Sequence, residues 1–306
     1  MQRRNFLQTT ALCAVAVSTT GFVHFDGHAY AGDCETTTDI LGPFYRPDAP
    51  QRNNLIVRGV KGMEVLLRGT VRHKDCTTPY KNAKVELWHC SPDGVYDNTS
   101  DEYRFRGTVY CDEQGRYQFL TILPVPYDQG NGQMRPAHFH LLVSAPGYQS
   151  LITQLYFTGD PHLKTDEQAA SPTARRRILD MGSSADGRKE VVFEVVMTDN
   201  LMVEPAVLDR LAGTYVDEKD EKLKTEFFRR DHQLWRKAGT IVYGINLDYI
   251  GNNTFSQGGL APGRSRTYLF EPQEGGAVKM TQTTVEPKAG TMVSVAYRKP
   301  EAALKR

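Results

Sequence analysis

"MEVLLRGTVRH", residues 63–73, sets Val65, Leu67 and Val71 at alternate positions, the mark of a strand with one buried face. "AKVELWHC" (83–90) repeats the pattern with Val85 and Leu87. The turn-rich "CTTPYKN" between them predicts a hairpin connection. "RGTVYCDEQGRYQFLTI" (106–122) predicts a second hairpin, turning at Asp112 to Gly115. Further strands are expected at "HFHLLVSA" (138–145), "ITQLYFTG" (152–159) and "KEVVFEVVM" (189–197). Short strands at this spacing, with little helical periodicity, predict an all-β chain whose first unit is an antiparallel β-sandwich.

Residues 160–188 are polar and aperiodic, an excursion from the sandwich with one helical turn. A boundary falls near "TDNLMVEPAVLDRLAG" (198–213). Beyond it "AGTIVYGINLDYI", "SRTYLFEP", "AVKMTQTTVE" and "TMVSVAYRK" again read as strands. The expected organisation is an export signal over 1–31, a sandwich domain over 32–200 and a smaller antiparallel β-domain over 205–306. Trp235, Tyr243 and Tyr249 would mark a binding surface if exposed, but aromatic residues in strands more often belong to a core.

The chain has 306 residues and a formal net charge of +1, so nothing in its charge advertises nucleic acid or a membrane surface. Arg175-Arg176-Arg177, the densest basic run, reads as a solvated loop. Arg3-Arg4 ahead of an apolar run from Ala11 to Val17, followed by Ala29-Tyr30-Ala31, is the pattern of a cleaved export signal of the twin-arginine type. The run is too short to span a bilayer. The mature protein is expected to start near Gly32 and to work in the periplasm or outside the cell. It would keep Cys34, Cys76, Cys90 and Cys111, for which two disulfides are the default in an oxidising compartment.

The chemistry concentrates in "PVPYDQGNGQMRPAHFH" (124–140). Side chains alternate on a strand, so His138 and His140 point to one side and Phe139 to the other. Two imidazoles so placed suit one ion, although two half-exposed histidines would read the same way. Arg135-Pro136 ahead of them fixes the entering backbone and sets a permanent cation where an anion would bind. Tyr127 follows Pro126, and Tyr96 closes "SPDGVY". If strands 83–90 and 116–122 run toward the same end, both phenols arrive at the mouth where His138 begins. Phenolate at neutral pH requires a strongly acidic cation. Zinc and magnesium favour Cys, His and carboxylate, so two phenols with two imidazoles point to Fe(III).

"GPFY" (42–45), "DGVY", "GRYQFLTILPVPY", "RPAHFH" and "LITQLYFTGDP" resemble the intradiol ring-cleavage dioxygenases, such as protocatechuate 3,4-dioxygenase and catechol 1,2-dioxygenase, from residue 42 to about Met197. The resemblance implies that Tyr96, Tyr127, His138 and His140 ligate Fe(III), with Tyr127 and His140 axial. It also implies that a small aromatic diol binds as a dianion, and that O2 opens the ring between the hydroxyl carbons to a cis,cis-muconic acid. Arg135 matches the family's charge-stabilising arginine and Gln154 its pocket glutamine. Trp88 and Phe119 read as core. Substituents on the diol would be chosen by loop residues such as Tyr45, Asp93 and Tyr103.

The chain departs from the family in having Val125 where a glycine is usual, and it lacks the helical N-terminal domain of catechol 1,2-dioxygenases. It is similar instead to exported members with a "WHC" strand end and extra cysteines. Its C-terminal domain inherits nothing from the resemblance, and a homo-oligomer is left open. On topology, Cys90 is expected at the metal end and Cys76 and Cys111 at the other. The expected disulfides are therefore Cys76–Cys111 and Cys34–Cys90. Two other functions fit the same residues: a non-catalytic transthyretin-like binding module, and a zinc hydrolase using His138 and His140 with Asp128 or Asp97.

Overall fold

The computed structural model describes residues 34–130, 132–199, 201–238, 241–261 and 263–299, with backbone alone at 17–18, 21–25, 30–32, 238 and 241–243. The export signal expected over 1–31 therefore lies outside the described side chains, as does that of Tyr243. No helix among the described residues is long and apolar enough to cross a membrane.

The chain is all-β. Two five-stranded sheets form the sandwich. One runs in the order Ile178–Leu179, Leu151–Phe157, His138–Ser144, Lys84–Trp88, Arg106–Tyr110. The other is centred on Glu64–Arg72, with Arg116–Ile122 on one side, Lys189–Val192 and Val195–Val196 on the other, and Gly182–Ser183 paired with Lys189–Val192 at the edge. Their facing sides bury Val65, Leu67, Val71, Val85, Leu87, Phe119, Phe139 and Leu141 in one core. The alternation read in the sequence thus gives the inward face correctly.

It does not give the partners. Neither expected hairpin forms: Glu64–Arg72 and Lys84–Trp88 lie in opposite sheets, and so do Arg106–Tyr110 and Arg116–Ile122. "CTTPYKN" and the Asp112–Gly115 turn are arches across the core. A period of two fixes which way a side chain points and is silent on whether the next strand lies beside it or opposite.

The disulfides also differ from expectation. Cys34 is bonded to Cys76, with Cα atoms 6.2 Å apart, while Cys90 and Cys111 are free and buried. The reason is the course of the N-terminal segment. Thr36 N–H donates to Val196 O and Val196 N–H to Thr36 Oγ1, so the segment enters along the Val195–Val196 edge, where the His73–Thr78 turn carries Cys76.

After helix Pro205–Leu211 the chain closes an eight-stranded antiparallel barrel, from Gly213–Asp217 to Gly290–Arg298, with the last strand paired to the first. Closure leaves no free sheet edge. Leu208 and Leu211 pack with Tyr215, Phe227, Phe255 and Phe270 in its core. The barrel docks on the outer face of the sheet that carries His138–Ser144. There Leu142 and Ile152 share a cluster with Trp235 and Ile245. Gln233 Nε2 donates to Ser150 Oγ at 2.7 Å, Ser150 N–H to Asp248 Oδ1 at 3.2 Å, and Arg230 is ion-paired with Asp48.

Candidate metal centre

The register of one sheet assembles most of the site. His140 lies between Gln154 on one neighbouring strand and Trp88 on the other, and His138 lies opposite Tyr156. All are even-numbered, so all share the outer face, while Phe139 and Leu141 enter the core. The phenols come from loops. Ser91–Val95 forms a turn in which Gly94 has φ +75°. A Cβ on Gly94 would stand 3.1 Å from that of Tyr127, so glycine is what lets the Tyr96 loop approach Tyr127. Tyr127–Asp128 pairs with Met134–Arg135, setting Tyr127 directly across from Arg135.

Tyr96 Oη lies 3.0 Å from His140 Nε2 and 3.3 Å from His138 Nε2, and the two Nε2 atoms are 3.2 Å apart. The Tyr127 ring lies 5.6 Å from that of Tyr96 and 5.7 Å from that of His138. His138 Nδ1 is 2.7 Å from the Pro136 carbonyl. A carbonyl only accepts, so Nδ1 carries the proton and Nε2 turns a lone pair toward His140. Burial, then Arg135, pushes the His138 pKa down to about 3; burial, then His138, holds His140 well below the ordinary range. Both imidazoles are neutral. Burial raises the pKa of both Tyr96 and Tyr127, so neither phenol ionises unaided.

Donor atoms about 2.1 Å from one ion and at right angles to each other stand about 3.0 Å apart. The spacing of these three donors matches. The residues fit a hard cation that accepts two imidazoles and can deprotonate buried phenols. They do not fit a zinc hydrolase. Asp97 accepts from Ser100 N–H and Arg104 N–H, and Asp128 from Gly130 N–H and Gly132 N–H, so each organises its own turn. Among the described residues no group of three or more His, Cys, Asp or Glu gathers as a metal site.

Arg135 is buried beside Tyr127. Its Nε donates to Asp166 Oδ2 at 2.8 Å and its Nη2 to Gln154 Oε1 at 2.8 Å. Burial disfavours its charge, but Tyr156, Asp166 and Tyr127 outweigh that and leave its pKa raised. Gln154 Nε2 donates to Ile40 O at 2.7 Å, so both ends of this amide are engaged and it positions Arg135. Tyr156 Oη donates to Asp39 Oδ2 at 2.9 Å, and Asp39 is ion-paired with Arg177.

Three of these residues were not legible as parts of a site. Arg177, expected to be solvated, is 2% exposed, because the 3-10 turn Pro172–Arg177 folds its last residue under the sheet. Asp166, in the aperiodic excursion, had no pattern to mark it. Trp88 is buried in a core cluster, as expected, but that cluster lies on the outer face of the sheet, where Trp88 stacks on His140 with centroids 4.8 Å apart and planes 8° from parallel. Its even register with His140 was the available signal. Phe119 is core, as expected. His89 bonds Cys90 O and Thr121 Oγ1, a structural role. Tyr45 is buried near the site, Asp93 is exposed, and Tyr103 packs under Arg46.

The chain is similar to known proteins over the sandwich. The family model described as "Dioxygenase" matches residues 40–199, just over half the chain. Chlorocatechol 1,2-dioxygenase of Rhodococcus opacus is 35% identical over 168 residues, 47% of this chain and 65% of that protein. Catechol 1,2-dioxygenase of Candida albicans is 34% identical over 152 residues, 43% of this chain and 50% of that protein. The crystal structure of catechol 1,2-dioxygenase from Acinetobacter radioresistens is similar over 54% of this chain and 63% of that one, with 26% identity and a TM-score of 0.49. The matches thus span half to two thirds of the curated relatives. With the family's match falling on the sandwich and the Tyr and His residues it carries, the chain belongs to the intradiol dioxygenase family.

Proposed function

We propose that the chain is an exported non-haem Fe(III) dioxygenase that opens a catechol-type ring between its hydroxyl carbons with O2, giving a cis,cis-muconate-type product. The observation that carries this reading is the cluster of neutral His138 and His140 Nε2 atoms and Tyr96 Oη within 3.0–3.3 Å of one another, beside Tyr127 and Arg135. Tyr96, Tyr127, His138 and His140 would hold the ion. Bound there, it would supply the Lewis acidity that lets phenols and a diol lose protons, and would draw electron density from the diol, which itself provides the electrons that O2 takes up.

The chain's own residues do the rest. Arg135, held by Asp166 and Gln154, keeps a fixed positive charge next to the seat of a diol dianion, in surroundings buried enough to make that charge effective. Tyr127 is the more exposed of the two phenols, and Arg135 lies directly across the strand pair from it. Once ionised on the bound ion, it would be the residue to take up a proton from the incoming diol. Gln154 and Tyr156 keep Arg135 on the metal side. The Cys34–Cys76 disulfide supports an oxidising compartment and, with Arg3-Arg4, export.

Oxygen uptake by the iron-loaded full chain in the presence of catechol tests the reading. One O2 consumed per catechol, with ultraviolet absorbance of a muconate and a loss of at least a hundredfold in Tyr127→Phe, is the expected result. No uptake with catechol or its hydroxylated and chlorinated analogues would overturn it.

A further inference from the structure

A row of aromatic rings leaves the metal centre and ends in the barrel. His140 stacks on Trp88, the Trp88 and Tyr45 centroids are 5.1 Å apart, and Tyr45 lies 6.2 Å from Trp235 with planes 20° from parallel. Asn246 is the cross-strand neighbour of Trp235 and shares its face of the barrel. This row carries an anomaly. Trp88 Nε1, Trp235 Nε1 and both Asn246 Oδ1 and Nδ2 are buried without a hydrogen-bond partner among the described residues. Asn246 is 1% exposed, Trp88 2% and Trp235 5%. Buried polar groups are nearly always paired, and each that is not costs free energy. These four atoms lie along and beside this row, by the cluster that contains Tyr96 and Tyr127, and their hydrogen-bonding capacity is open to a partner from outside the chain.

We infer that Trp88, Trp235 and Asn246 form a polar subsite that receives an oxygen-bearing substituent of the diol, so that the barrel takes part in choosing the substrate. The chemistry sets the class of substituent. Two indole N–H groups need acceptors, and a carboxamide needs one donor and one acceptor. A phenolic hydroxyl on a second aromatic ring both accepts and donates, and the ring that carries it suits the aromatic neighbours Tyr45, Trp88 and Trp235. The substrate class is therefore a catechol that carries a hydroxylated aryl group. The inference rests on the dioxygenase reading only for the seat of the diol.

Trp88 and Trp235 are the only two tryptophans in the chain, so fluorescence excited at the red edge, where tyrosine does not absorb, reports on these two residues. The experiment titrates the purified full chain under argon with catechol and with a catechol bearing a 4-hydroxyphenyl group. The aryl catechol is expected to quench at a Kd at least tenfold below that of catechol. Asn246→Leu should raise that Kd about five- to tenfold, as for one or two lost hydrogen bonds, and leave the Kd of catechol unchanged. Asn246→Ser is the second variant should the first fail to fold. Trp235→Phe should remove most of the quenching by the aryl catechol. Equal affinity for both ligands, as expected if trapped water pairs these groups, would overturn the inference, and so would indifference to both Asn246 variants. Because neither iron turnover nor O2 enters the readout, an inactive protein that still discriminates supports the subsite and overturns only the dioxygenase reading.

Discussion

The carboxylate of Asp166 meets the guanidinium of Arg135 at 2.8 Å, with the two side chains 2% and 5% exposed. One partner stands beside Tyr127 at the candidate metal centre and the other comes from the polar excursion between the sandwich strands. A buried pair contributes little net stability when formed, but removing one partner leaves an uncompensated charge. Asp166→Ala should therefore lower the unfolding free energy by about 3–5 kcal/mol, read by urea denaturation. Asp166→Asn keeps the shape but frees Arg135 to turn. It should lower kcat/KM about 10–100-fold, the range for residues that orient a metal site, with partial recovery in Asp166→Glu.

Arg175 and Arg177 are two residues apart and should behave differently. Arg175 is exposed, and its replacement by alanine should change stability by less than about 0.5 kcal/mol. Arg177 is ion-paired with Asp39 and donates to Gln154 O at 3.1 Å. Arg177→Ala should cost about 3 kcal/mol or more in the same denaturation assay.

Asp248, at the contact of barrel and sandwich, has its pKa raised by burial from 3.8 to about 7. A carboxyl raised on folding binds its proton more tightly in the native state. Its contribution is therefore fully favourable below about pH 4, falls as the pH rises toward 7, and stays low above that. The span is at most about 4 kcal/mol. Thermal melts from pH 4 to pH 8 should show this fall, and Asp248→Asn should flatten it and raise Tm at pH 8. A wild-type profile unchanged by Asp248→Asn would contradict the burial of an ionisable group there.

The Cys34–Cys76 bond closes a loop of 42 residues, for which the chain-entropy model gives about 4 kcal/mol. Reduction, or Cys34→Ser, should lower Tm by several degrees. Peptide mapping without reductant should find that bond, with Cys90 and Cys111 as free thiols.

What could be read before the structure, and what could not, divides along a physical line. That His138 and His140 share one face was legible because the period of a strand is local, and the structure brings Tyr96 and Tyr127 beside them. Strand partners were not legible. Val65 and Val85 turn toward one another across the core, although their alternation equally suits neighbours in a hairpin. Arg177, Asp39 and Asp166 acquire meaning only through contacts spanning from 31 to 138 residues, which no local pattern carries. Four of the eight barrel strands were visible as strands, while Gly213–Asp217, Lys224–Arg230, Gln233–Ala238 and Thr254–Gln257 were not, and closure into a barrel and its docking beside Trp88 depend on pairings remote in the chain.

The most direct test of the central claim is a visible spectrum of the purified protein, taken under argon before and after catechol is added. The account predicts a red-brown absorption from phenolate bound to ferric iron, moving to longer wavelength with catechol and lost in Tyr96→Phe,Tyr127→Phe. A protein that stays colourless after reconstitution with iron would contradict it.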